Sequence, residues 1–273
     1  MTEPRRGRGR PPQVPPAPRE PIGRERAGAS RGPRRPARVT ERPVRPEFPA
    51  DAEIDLPPRV RKEIDRLVND RERSNDVKLA LSLGTAASED DDHAAALRYL
   101  LWAKHLAPRS TPVREAVAIV LYRAGDLRSA LTELQAYRRM SGSNDQNHLL
   151  ADCLRADGRE PQRAIDVGQE LASDEDQDIE RRVEAAIIVA AVHLDLERPG
   201  RAAAALAPFL DGPSAKEVAP ASTVRLLWVA ADIAEADGSE QRAVAALERL
   251  IALEPDYPDV DQRLDRLRGH GEG

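Results

Sequence analysis

Aromatic residues make up only 3% of this 273-residue chain: two Trp, four Tyr and two Phe. Sandwich and barrel cores draw on more aromatic and β-branched bulk than that, so an all-β fold is not expected. There is one cysteine, Cys153. It cannot form an intramolecular disulfide, which suits a reducing compartment such as the cytoplasm. No apolar run reaches the roughly 18 residues that a membrane-spanning helix needs. The basic N-terminus lacks the apolar stretch of a secretory signal. Lysine is scarce too. Of 42 basic side chains only Lys62, Lys78, Lys104 and Lys216 are lysine, and the rest are Arg. This Arg and Ala bias has the character of a GC-rich coding region.

Patterns that carry chemistry are equally thin. The five histidines are His93, His105, His148, His193 and His270. No two stand at i, i+4, and none pairs with Cys153 at the spacing of a zinc site, which needs three or four converging ligands. Cys153 lies between Asp152 and Leu154 with no base or cation beside it to activate a thiol. The acidic runs Glu89–Asp92 and Asp174–Asp178 lack the central Gly and terminal Glu of a calcium loop. The first is placed to cap a helix N-terminus, and the second reads as a solvated loop. Gly7-Arg8-Gly9-Arg10 has no strand before it or helix after it, so it is no phosphate loop. No nucleophile elbow occurs. Neither an enzyme, a cofactor nor a metal is expected.

Leu, Ala, Arg and Glu dominate instead, and these favour helix. Charge divides along the chain. Residues 1–50 hold 13 Arg and 5 Glu, net +8, while the remainder holds 29 basic and 42 acidic residues, net −13. Twelve of the 23 prolines also fall in residues 1–50. Stretches such as Pro11-Pro12-Gln13-Val14-Pro15-Pro16 cannot form helix and bury little, so residues 1–50 are expected to be a disordered Arg/Pro-rich tail of partly polyproline-II character. Order is expected from about Leu56. Pro57 and Pro58 suit a first helical turn, and Val60, Ile64, Leu67 and Val68 line one face. A short cover helix is expected over 57–73.

From about Val77 the chain repeats itself. Ala96, Ala130 and Ala164 are spaced by 34 residues, and Ala202 and Ala243 follow at 38 and 41. The two longer intervals hold the insertions Asp174–Asp178 and Asp211–Ser214. A small residue stands 12 positions before four of these alanines: Gly84, Ala118, Ala190 and Ala231. A leucine stands four after four of them: Leu100, Leu134, Leu206 and Leu247. Ala103, Tyr137, Leu171, Phe209 and Leu250 follow three further on. In the third unit Asp152 takes the small slot with Ala151 adjacent, Gly158 implies one extra residue in the turn, and Gly168 takes the leucine slot, which predicts loose packing there. Each unit reads as two amphipathic helices that cross at small residues. After Pro255, residues 258–268 are highly charged with a narrow apolar stripe, as expected of a closing helix that covers the last repeat.

A period near 34 with these slots resembles the tetratricopeptide repeat (TPR). The likeness is carried by Gly84…Ala96…Leu100…Ala103…Pro108, by Ala231…Ala243…Leu247…Pro255, and by the turn Leu121-Tyr122-Arg123-Ala124-Gly125-Asp126-Leu127. It covers roughly residues 77–255, and the chain as a whole resembles TPR proteins of GC-rich bacteria. The resemblance implies an all-α, right-handed helical-hairpin solenoid of about five repeats, within a folded domain over 56–268, and no specific activity; the concave face of such a solenoid and the missing catalytic constellation point to a scaffold that binds a protein partner rather than to an enzyme. The first helix of each pair would line that face. Its candidate partner-binding residues are Thr85, Tyr122, Arg123, His148, Asp152, Arg155, Ile187, Leu194, Trp228 and Asp232. Arg and aromatic side chains commonly anchor interfaces. Chaperone-adaptor TPR domains hold a terminal carboxylate with Lys, Asn and Arg. The corresponding positions here are Leu81, Thr85, Ala116, Asp145 and Leu149, so that clamp is missing. The alternative reading is nucleic-acid association through the basic tail, with strongly salt-dependent affinity. Phe48, the tail's one aromatic, would make base stacking poor.

Overall fold

The computed structural model describes residues 43–270. The expected disordered tail falls mostly outside the described residues. Its last eight, 43–50, are described and lie against the folded body. Among the described residues there are twelve α-helices, one 3-10 turn and no strand. Helix α1 (Pro58–Leu67) is followed by five hairpins: α2 (Arg71–Glu89) with α3 (His93–Leu106), α4 (Thr111–Arg123) with α5 (Leu127–Ser141), α6 (Asn147–Asp157) with α7 (Pro161–Ala172), α8 (Ile179–Asp195) with α9 (Pro199–Leu210), and α10 (Pro220–Ala236) with α11 (Glu240–Leu253). Helix α12 (Val260–His270) closes the stack.

The hairpins exist because two helix axes can approach closely only where side chains are small. All five register alanines, Ala96, Ala130, Ala164, Ala202 and Ala243, are fully buried. On the facing helices Ala118, Ala190 and Ala231 are equally buried, and Ala151 takes this role in the third pair. At Gly84 the approach is tighter still: a Cβ there would meet Leu100 Cγ at 2.6 Å. The leucines at the next slot, Leu100, Leu134, Leu206 and Leu247, are at most 1% exposed. Each such side chain contributes about 2 kcal/mol by leaving water.

Every hairpin turns on one residue of left-handed backbone: Asp91 (φ 58°), Gly125 (79°), Gly158 (70°), Glu197 (57°) and Gly238 (71°). In four turns this residue lies five before the register alanine, and in the third it lies six before. The extra residue of the third unit is therefore inside its turn. Two of the second helices, α3 and α5, start on short acidic caps. Asp92 accepts from Ala95 N at 2.9 Å and Asp126 from Ser129 N at 3.1 Å. Asp178, in the second acidic run, likewise caps α8 by accepting from the backbone N–H groups of Glu180 and Arg181, so that run is more than a solvated loop.

Two expectations need correction. The cover helix does not run through 57–73. It ends at Leu67, Val68 is extended (φ −121°, ψ 97°), and Asp70 caps a new helix by accepting from Arg73 N at 2.8 Å. The first repeat accordingly starts at Arg71. Nor is the third unit loose at Gly168: a Cβ there would meet Val189 Cγ2 at 2.6 Å, because α8 moves into the space a leucine would fill.

The two ends are covered differently. Ahead of α1, Arg45 forms a two-pronged ion pair with Asp76 (2.7 and 2.8 Å), and Phe48 stacks on Tyr99 of α3 at 6.1 Å between centroids. Ile64 of α1 is fully buried, and Glu63 accepts from both the N–H and the hydroxyl of Thr111 at the start of α4. At the other end α12 buries Val260, Leu264 and Leu267 against α10 and α11, and turns Asp261, Asp265 and Arg268 to solvent.

The first helices of successive pairs (α2, α4, α6, α8, α10) pack directly against one another, whereas the second helices share no comparable helix-to-helix packing. Long ion pairs span the gap between second helices instead, from Lys104 to Glu133 (2.5 Å) and from Arg138 to Glu170 (2.6 Å). Crowding on one side and spreading on the other makes the first helices the inner wall.

Gly168→Leu, which restores the leucine slot, should destabilise the fold by about 3 kcal/mol through overpacking; a raised urea midpoint would instead mean that a void exists there. Glu197→Gly should stabilise by about 0.5–1 kcal/mol, because glycine takes a left-handed backbone without the Cβ clash; the urea midpoint reads this change as well.

Candidate functional site: the inner wall

On each first helix the positions three before, one after and four after the small crossing residue share the face turned away from the second helices. These positions hold Glu115, Ile119 and Tyr122 on α4. They hold His148, Asp152 and Arg155 on α6, counted from Ala151. On α8 they are Ile187, Ala191 and Leu194, and on α10 Trp228, Asp232 and Glu235. One turn earlier come Asp145, Glu184 and Arg225.

The structure joins many of these residues to one another. Tyr122 Oη donates to Asp152 Oδ2 at 2.7 Å, linking α4 to α6. Gln146 Nε2 donates to Glu115 Oε1 at 2.8 Å across the same seam. Arg155 grips Asp195 of α8 through Nε at 2.7 Å and a second nitrogen at 3.3 Å. Glu184 of α8 pairs with Arg225 of α10. Arg263 of α12 inserts between Asp232 and Glu235, at 2.6 Å from each, with its guanidinium 4.6 Å from the Trp228 ring centroid. A polar ladder thus runs along the wall from α4 to α12.

Nine of the ten sequence-derived residues divide into three kinds. Tyr122, Asp152, Arg155 and Asp232 are rungs of this ladder, and Trp228 packs against Arg263 and Tyr257, its ring centroid 5.3 Å from that of Tyr257. Thr85 and Arg123 are exposed: Thr85 bonds back to Leu81 O at 2.9 Å, and Arg123 reaches Ser88 O and Oγ at 3.3 Å. Ile187 is buried in the core and Leu194 packs at its edge. Ile187 therefore presents little surface to a ligand.

His148 is the most enclosed polar group of the set. Its Nδ1 is sealed from solvent with no hydrogen-bond partner among the described residues. Burial first, and then the positive charge of Arg181, push its pKa down to about 4. Around it stand Glu115, Asp145, Tyr137 and Arg181. Tyr137 Oη donates to Asp145 at 3.1 Å, and Arg181 approaches Asp145 at 3.6 Å. Burial raises the Glu115 carboxyl, and the Gln146 hydrogen bond opposes that rise. Glu115, Asp145, Arg181, Glu184 and Arg225 were not among the sequence candidates. Glu115 could have been found, since it lies three before Ala118, as Trp228 does before Ala231.

Cys153 is 1% exposed, and burial pushes its thiol up to about 12, so no thiolate forms near neutrality. Among the described residues no three His, Cys, Asp or Glu side chains stand close enough together to hold a metal ion, and no helix is long and apolar enough to cross a membrane.

No family model matches the chain, and no curated protein matches it. Among solved structures it is similar to YrrB, described as a TPR protein with an unusual peptide-binding site. The match covers 73% of this chain and 96% of that one, with 13% identity and a TM-score of 0.51. The fold is that of a TPR protein. At this identity the likeness is one of architecture. The five TPR hairpins are the units that the alanine register marks, and the TPR inner wall is the surface built by α2, α4, α6, α8 and α10.

The partly buried His148 ring, with its Nδ1 shut off from solvent, makes stability depend on pH. In the unfolded chain the ring titrates near 6.5, so between 6.5 and about 4 the unfolded state binds the extra proton. Folding stability should fall as pH drops through that window, by on the order of 2–3 kcal/mol from this ring. Glu115 acts with the opposite sign, because its raised pKa lets the folded state take up a proton first. His148→Gln should flatten the plot of urea midpoint against pH from 6.5 to 4. Parallel plots for the two proteins would show that Nδ1 is not shut off.

Proposed function

We propose that the protein is a non-catalytic scaffold that holds a segment of a partner protein along the inner wall of its TPR stack. The carrying observation is the packing of the first helices against one another, which turns equivalent positions of successive repeats onto one continuous surface. That surface offers hydrogen-bonding groups of both signs beside the aromatic rings of Tyr122 and Trp228, a mixture that suits a polypeptide with alternating polar and apolar side chains. YrrB, described as a TPR protein with an unusual peptide-binding site, has the same fold, which supports the same use here.

The charge of the wall favours protein over nucleic acid. Its acids Glu115, Asp145, Asp152, Glu184, Asp232 and Glu235 are nearly balanced by Arg123, Arg155, Arg181, Arg225 and Arg263, so the wall has no excess of positive charge to attract phosphate groups. Thr85 and Arg123, exposed at the first two repeats, and Arg155 at the third are the contacts this reading assigns to the partner. A cytoplasmic location accords with the chain's composition.

Arg123→Glu combined with Arg155→Glu reverses charge on the inner wall. Arg128→Glu combined with Arg139→Glu does the same on α5, away from it. The first pair should reduce the amount of bound partner recovered from native cells about tenfold or more, the second less than about twofold. Equal recovery by both variants, each with native helicity, would remove the wall as the binding surface.

A further inference from the structure

The chain has two insertions relative to a 34-residue period, and they meet. The linker after α7 and the 3-10 turn Pro213–Lys216 after α9 close over a cavity of about 210 Å³. Its lining combines Ser173 at the end of α7, Glu175 from the first insertion, Ser214 from the second, and the apolar surface of Ala205, Pro208 and Phe209 on α9. This cavity lies against the second helices α7 and α9, apart from the groove residues.

Arg182 of α8 also lines it. This arginine is only 7% exposed, yet it makes no ion pair among the described residues. Its Nε donates to Ala172 O at 3.2 Å, and its guanidinium carbon lies 5.6 Å from the centroid of the Phe209 ring. The two terminal nitrogens have no hydrogen-bond partner among the described residues. Asp174, close enough for Arg182 to lower its pKa, is held first by the side-chain amide of Asn144 at 2.7 Å. The contrast with the other buried charge is plain. Glu133, 6% exposed, is clasped by Lys104 at 2.5 Å and Arg114 at 2.6 Å. The stem of Arg182 is buried while its terminal nitrogens reach the pocket without an ion-pair partner, and a guanidinium edge with two free N–H donors matches a carboxylate in geometry. Ser173 Oγ already accepts from Gln169 Nε2 at 3.0 Å, which leaves its hydroxyl hydrogen to donate.

We propose that this cavity binds a carboxylate carried on a short aliphatic stem. The acid accepts two hydrogen bonds from Arg182 and others from Ser173 and Ser214, and the stem lies on Ala205, Pro208 and Phe209. Glu175, exposed at the lining, opposes an anion and sets a limit on affinity. The same chemistry is presented by a free small acid and by the glutamate side chain of another protein.

The test is an NMR titration of the full ¹⁵N-labelled chain at low ionic strength, following the Arg182 Nε–Hε signal. The probes are sodium butyrate, its neutral isostere butyramide, and a peptide blocked at both ends with a single Glu. Saturable shifts with butyrate or with the peptide, absent with butyramide and with sodium chloride, are expected; the tighter of the two probes identifies the source. Arg182→Gln should weaken binding about tenfold or more. Since Arg182 also packs on Phe209, two exposed or partly exposed positions provide independent readouts. Glu175→Gln should tighten binding about threefold and Ser214→Ala should loosen it about threefold. Absence of saturable shifts with either acid, an equal response to butyramide, or indifference to Glu175→Gln and Ser214→Ala together would overturn the proposal.

Discussion

The close approach of helices at small residues is the constraint from which the rest of the molecule follows. A helix pair can close to full contact at Ala96, Ala130, Ala164, Ala202 and Ala243 because nothing larger than a methyl group lies between the backbones. That approach fixes the angle within each pair. The angle then decides which side of the first helix meets the next repeat and which side is left for a ligand. Gly84 and Gly168 show how far the demand goes, since even one added carbon would collide with a neighbouring side chain at each.

The wall that results does two jobs with one set of side chains. Tyr122, Asp152, Arg155, Glu184, Arg225 and Arg263 bind one repeat to the next, and they also form the surface a partner would meet. Groups already engaged in half-exposed pairs contribute little to stability individually. They are held in place, however, so less conformational freedom is lost when a ligand meets them. On the scaffold reading proposed above, recognition by this wall would rest more on that preorganisation than on any single charge.

The fold was legible in the sequence because repeat packing imposes residue size at a fixed interval, and size is visible in a string of letters. The five-residue offset from the turn to the register alanine is legible for the same reason, as is the extra residue before Ala164. Other features depend on distances between units and leave no local mark. The pairing of Tyr122 with Asp152 spans 30 positions and follows from the rotation between repeats. The compensation at Gly168 comes from Val189 in the following pair. Ile187 looked like a groove residue because helical phase alone does not tell how closely the next helix covers it. Arg182 gave no signal at all, because two insertions separated by more than 30 residues fold together to make its surroundings.

The two edges of the stack are built differently, and this has a mechanical consequence. Along the inner edge the first helices are in direct contact, so that edge has a fixed length. Along the outer edge neighbouring second helices are joined by long side chains, such as the partly exposed pair Arg138 to Glu170, whose torsions can lengthen or shorten the span at small cost. A body with an inextensible spine and an elastic rim bends in one plane more readily than in the other. Bending would then fall on the rim while the alanine crossings stay closed, and on the scaffold reading grip would be a property of the whole stack rather than of any one repeat.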